Sequence, residues 1–301
     1  GRRIGPHLDG RLIPKAAHMA VTRNLTTLEA LTPPETGRRL WLKAGAAAGA
    51  CWLGGWPMLA HAEITHINEA INRAGRQRML SQRMAKAWLA VGQGVEVSRA
   101  ERVLKDSIAL FDRQLGELKA YAPTPQILAT YAAMDATWAD YKRSLMLGPP
   151  QRARAEDVIA LDAKVLRLAH QGTQQLESFS GRNVGKLVSL SGRQRMLSQR
   201  AAKFYLSRSW GVQIADQMAE LNQARKDFAD ALHVLDNAPE ATPAIRDEIE
   251  LARQQWIFFD NALTKAEQGS KSPMHAQEVF ASSENILQIM DRLTSLFTRL
   301  T

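Results

Sequence analysis

Cysteine is almost missing from this chain of 301 residues, and its one copy, Cys51, lies in an apolar run near the N-terminus. Without that run the polypeptide has no thiol, which excludes disulfides, thiolate catalysis, cysteine-ligated zinc and c-type haem. Glycine (19) and proline (12) are too sparse for a fibrous or low-complexity chain. Long hydrophobic runs are missing beyond residue 62, where nothing approaches the roughly 20 apolar residues that a membrane-spanning helix needs. A strong surplus of one charge is missing too. The formal net charge is +9, but residues 1–62 hold eight Lys/Arg against three acids, leaving 31 basic and 27 acidic side chains elsewhere. So mild a balance argues against a binder of phosphate backbones, and no nucleic-acid partner is expected.

The first 62 residues read as an extension plus an export signal. Arg38-Arg39 precede Trp41, Leu42 and Lys43, and the run AGAAAGACWLGGWPMLA ends in Ala60-His61-Ala62, a small-x-small site. The segment is similar to a twin-arginine leader cleaved after Ala62, which implies a periplasmic mature protein. Met19 would open a leader of ordinary length, and the residues before it are read as an upstream translation artefact. An uncleaved anchor is the alternative, although 17 residues rich in Ala and Gly are marginal for spanning about 30 Å of hydrocarbon.

What is present is a repeat. Residues 75–83 read GRQRMLSQR and residues 192–200 read GRQRMLSQR again. At the same offset Leu89, Leu104, Phe111 and Leu115 fall on Leu206, Leu221, Phe228 and Leu232, and Trp138 meets Trp256 with one extra residue. After the leader the chain is therefore two copies of one unit, 63–180 and 181–301. Apolar spacing is helical throughout. The first copy reads as helices over 63–92, 98–121, 126–146 and 152–179, the second over 184–210, 213–236, 242–266 and 273–300. Glycines and prolines mark the turns, among them Pro123, Pro125, Gly148, Gly211, Pro239 and Pro243. The expected fold is all-α, two tandem up-and-down four-helix bundles. The fourth helix either turns at Gly181 and Gly185 or runs on into the second copy as one seam.

The first helix of each copy carries a charge where its apolar stripe should continue. Ile67, Ile71 and Ala74 lead to Arg78 and then Ser81 and Ala85, while Val184, Val188 and Ser191 lead to Arg195 and then Ser198 and Ala202. A buried guanidinium needs an anion, because an unpaired buried charge costs several kcal/mol. That anion is either a carboxylate on another helix or a small planar anion suited to the donor fork of arginine. Arg76, Arg83, Arg193 and Arg200 lie on another face and read as solvated or ion-paired.

The line INRAGRQRMLSQR (71–83) resembles the N-terminal domain of type IV pilus methyl-accepting chemotaxis transducers, the PilJ-like family. It is also similar to the periplasmic domain of nitrate/nitrite sensor kinases. The likeness rests on Ile71, Asn72, Ala74, Gly75, Arg78, Met79, Ser81 and Arg83, and again on Ser191 to Arg200. It implies that Arg78, and Arg195 by the repeat, bind a small inorganic anion, nitrate or nitrite, beside Gly75, Gly192, Ala74 and Ser191, with Arg83 and Arg200 nearby. The two arginines would share one site within the chain or pair across a homodimer. Those sensors hold their bundle between membrane helices with a signalling module beyond. Neither is legible here, so the resemblance implies a sensor or accessory module whose output runs through a membrane-bound sensor or redox partner.

Other chemistry finds little footing. Di-iron bundles need two Glu-x-x-His pairs on facing helices, and only Glu63-Ile64-Thr65-His66 has that spacing. His170, His233 and His275 stand alone and read as surface or helix-end residues. Trp88, Trp138, Trp210 and Trp256 read as core. No enzyme, metal or cofactor is expected. The competing reading is a ligand-free helical interaction protein, acting with a membrane chemoreceptor, pilus or redox partner, whose arginines seal a packing or dimerisation seam.

Overall fold

The computed structural model describes residue 1, residues 63–267 and residues 273–300. The expected leader, with its expected cleavage after Ala62, and Cys51 fall on residues outside those described. Eight α-helices follow in order among those described: α1 Ile67–Gly92, α2 Val97–Tyr121, α3 Pro125–Met146, α4 Ala155–Ser180, α5 Asn183–Ser209, α6 Gln217–Asp236, α7 Pro243–Glu267 and α8 Pro273–Thr298. No strand occurs among the described residues, and none of these helices is long and apolar enough to cross a membrane.

Local chemistry sets the boundaries. Thr124 caps α3, its hydroxyl accepting from the Ile127 amide at 3.2 Å, and Thr242 does the same for Ile245 at 3.3 Å before α7. Each threonine is followed by a proline in the first turn, where the missing N–H is no loss. Gly181 takes a left-handed φ of +62° and ends α4, so the fourth helix does not run on into α5. The first helix starts four residues later than its spacing suggests, because His66 stays extended and its Nδ1 accepts from the Asn68 amide. Residues 152–154 form a 3-10 turn ahead of α4. Residues 211–216 lead into α6 through Gly211 (φ +74°) and Asp216 (φ +58°), which moves the helix start to Gln217.

In each copy the first helix packs against the second and fourth, and the third closes the unit against the fourth. The copies repeat one another in detail. Phe111 lies tilted by 31° on Trp138 at 4.2 Å with Tyr141 edge-on, and Phe228 stacks on Trp256 at 4.0 Å with Phe259 edge-on. The two units are not separate bodies: α1 and α5 form the most extensive helix–helix interface of all, and one continuous core includes Ile71, Trp88, Val188 and Leu206. Gly75 lies against Gly192, and Gln93 Nε2 donates to the Leu206 carbonyl at 2.9 Å, so α1 and α5 run parallel about a pseudo-twofold axis between the glycines. Both are buried nearly all round.

Candidate anion site at the arginine seam

Gly75 and Gly192 let the two backbones approach closely, and the space a side chain would take is filled by guanidinium groups. A Cβ on Gly75 would come 3.3 Å from an Arg78 Nη and 3.5 Å from an Arg195 Nη, and one on Gly192 would come 3.1 Å from Arg195. Arg78 and Arg195 are thus brought together within one chain, with 2% and 0% of their surfaces exposed. Each reaches across the axis to the backbone of the opposite helix. Arg78 donates to the Ser189 carbonyl at 3.0 Å and Arg195 to the Asn72 carbonyl at 3.2 Å, Asn72 and Ser189 being equivalent in the repeat. Ala74 and Ser191 are buried beside them, the Ser191 hydroxyl donating to Val188 of its own helix.

The symmetry ends at the second amine. Arg195 donates to Asp291 on α8 at 2.7 Å and to the Asn72 side-chain oxygen at 2.9 Å. Arg78 meets only the Nδ1 of His170 on α4, at 3.5 Å, and pairs with no carboxylate among the described residues. Burial, then the charges of Arg195 and Arg193, bring Arg78 down to about 9, with Glu177 opposing from a distance. Burial lowers Arg195 to about 10, with Asp291 resisting. Burial and Arg78 also lower His170, which favours its neutral form. The Nε of both arginines is buried without a hydrogen-bond partner. His170 is exposed on α4, as its sequence context suggests, and its Nδ1 still lies within 3.5 Å of Arg78. It presents a ring nitrogen to the side of Arg78 that has no carboxylate among the described residues.

The N-terminal domain of type IV pilus methyl-accepting chemotaxis transducers, PilJ, matches this chain twice, over residues 60–164 and 178–282. The chain belongs to the PilJ family. No curated protein and no solved structure gives a match. The paired matches follow the repeat, each opening just ahead of an arginine-bearing helix.

The remaining arginines of the PilJ boxes are tied to carboxylates. Arg83 is held by Glu284 through its Nε at 3.1 Å, and Arg200 by Glu220. Arg76 shares Asp291 at 3.2 Å, and Arg193 pairs with Asp227 at 2.6 Å. None of the four has the uncompensated setting of Arg78. Sequence reasoning missed one buried lysine in each box region. Lys86 on α1 is buried and donates to Glu284 (2.7 Å) and Ser283 (2.8 Å) on α8, while Lys203 on α5 donates to Asp162 on α4 at 2.6 Å. Both pairs cross from one copy to the other. Burial brings Lys86 down to about 8 against the pull of Glu284. The signal was available, since Ala85-Lys86 and Ala202-Lys203 extend the identity past a single change at Met84 and Ala201. Glu63 is exposed and His66 spends its Nδ1 on the α1 cap, so the pair does not form one helical face. No group of three metal-ligating side chains occurs among the described residues.

Proposed function

We propose that this PilJ-family chain is a periplasmic sensor or accessory module that binds a small inorganic anion, nitrate or nitrite first, and passes its state to a membrane-bound sensor or redox partner. The carrying observation is Arg78: a fully buried guanidinium with an unpartnered Nε and no carboxylate, facing a second guanidinium across a glycine contact. Such a cation is costly as it stands and gains from an entering anion. A planar oxyanion suits the fork of donors. The choice of nitrate or nitrite rests on the likeness to the sensor kinases. Periplasmic export rests on the twin-arginine pattern at Arg38-Arg39. No catalytic step or cofactor belongs to this reading. Because α1 and α5 meet at the site, neutralising the pair would tighten their packing, and that change would be the output.

The second reading, a ligand-free interaction protein, is favoured by one observation: Arg195 already has an internal carboxylate in Asp291. Calorimetric titration of the chain with nitrate, nitrite, sulfate and chloride separates the two. The sensor reading expects selective binding of one anion, weakened at least tenfold in Arg78→Gln, about 1.4 kcal/mol or more. An absence of binding with all four, together with loss of stability in Arg78→Gln, would establish the seam as packing alone.

A further inference from the structure

We infer that the anion sits off the pseudo-twofold axis, on the first-copy side where Arg78, Tyr131 and His170 meet, and that each chain takes one anion and not two. This rests on the sensor reading above and assigns it a half-site. The ground is a set of matched differences between the copies. Placing α4 on α8 (Ala155 on Ala276, Val158 on Val279, Thr173 on Thr294) puts His170 on Asp291 and Gly172 on Leu293. Placing α3 on α7 (Pro125 on Pro243, Trp138 on Trp256) puts Tyr131 on Ile249. Where the second copy has a carboxylate and two bulky apolar residues, the first has an imidazole, a glycine and a phenol.

These changes act together. Gly172 admits Tyr131: a Cβ there would fall 2.9 Å from the ring and 3.1 Å from the hydroxyl oxygen. The phenol end therefore lies against α4, two residues from His170. Tyr131 is fully buried and its hydroxyl has no partner among the described residues. It is near enough to Arg78 that each shifts the titration of the other. Buried polar groups are nearly always satisfied. Here the two without partners are an Nε–H, which can only donate, and a hydroxyl free to donate. Arg193 adds positive field at Arg78 and His170, and Glu177, which makes no ion pair with Arg78, is the carboxylate that opposes it. An oxyanion, all acceptor, answers that set.

In the second copy the corresponding place is taken. Asp291 is an anion built into the chain, held by both Arg195 and Arg76, and Ile249 brings no hydroxyl. The Nε of Arg195 is also without a partner, so the carboxylate and the phenol, not that nitrogen, distinguish the halves.

The test is calorimetry and thermal melting of the chain with nitrate, nitrite, sulfate and chloride, using Tyr131→Phe and His170→Asp. The expected result is one anion per wild-type chain. His170→Asp gives Arg78 the carboxylate that Arg195 has, so it loses at least tenfold in affinity with an anion-free melting temperature unchanged or higher. Tyr131→Phe removes a hydroxyl that has no partner without the anion, so it weakens binding roughly tenfold without lowering that melting temperature. Wild-type binding that neither substitution alters, or two anions per chain, overturns the half-site and leaves the sensor reading standing. Failure of the wild type to bind any of the four overturns both.

Discussion

At the residue scale the seam is governed by how each buried charge is answered. Glu284 is the plainest case on the carboxylate side. Burial alone would raise it, but Lys86 and Arg83 hold it down from 4.5 to about 2. A carboxylate whose folded pKa is depressed stabilises the fold fully above its unfolded value and loses that contribution as the pH falls through the folded one. The window is therefore pH 4.5 down to about 2, and the contribution at stake is on the order of 3 kcal/mol. Denaturant unfolding across that range should show the wild type weakening steeply and Glu284→Gln weakening less. The variant should already be less stable at neutral pH, by about 3 kcal/mol, because buried Lys86 and part-buried Arg83 lose their countercharge. Asp291, held below its ordinary value by Arg195 and Arg76 against burial, keeps some slope in both proteins. Parallel curves for the two would show that Glu284 does not carry the acid response.

At the element scale the helices were legible because their apolar spacing and their breakers agree, and both ends of most helices fall within three residues of where sequence puts them. What was not legible depends on backbone conformations that residue type disfavours. Glu96 opens α2 with φ +47° and Asp216 opens α6 with φ +58°, at corresponding places in the two copies, and neither side chain makes a capping hydrogen bond. A left-handed conformation costs an L-residue roughly 1–2 kcal/mol, part of which glycine recovers. Glu96→Gly and Asp216→Gly should each stabilise the protein, by about 1 kcal/mol, as read from urea unfolding midpoints. A drop in midpoint would mean that those side chains stabilise the turn in some other way. The site was half legible for a related reason. Arg78 and Arg195 declare themselves as charges on an apolar stripe within α1 and α5. Their unequal partners do not, because α4 and α8 align at a different offset from α1 and α5, and His170 meets Asp291 only once packing has fixed that shift.

At the scale of the whole molecule, two copies that sequence reads in tandem share one interior. The first helix of each has no solvent face to return to: α1 is covered by α2, α4, α8 and α5, and α5 by α6, α8 and α1. The buried lysines strengthen the tie, since Lys86 of the first copy answers Glu284 of the second and Lys203 of the second answers Asp162 of the first. Asp162 is fully buried and, among the described residues, is otherwise hydrogen-bonded only by Gln82, at 2.6 Å. Lys203→Ala leaves that carboxylate without its cation, a loss of about 3–5 kcal/mol. If the copies fold as one unit, the damage is not confined to the copy that carries the substitution. The chain should melt in a single transition, shifted down in the variant. Hydrogen exchange should quicken in α4 and α1 of the first copy as well as in α5. Two separable transitions, or faster exchange limited to α5–α8, would show two domains in contact instead. The single-unit outcome bears on the proposed sensing, because an anion held beside Arg78 would then act on a helix pair that both copies share.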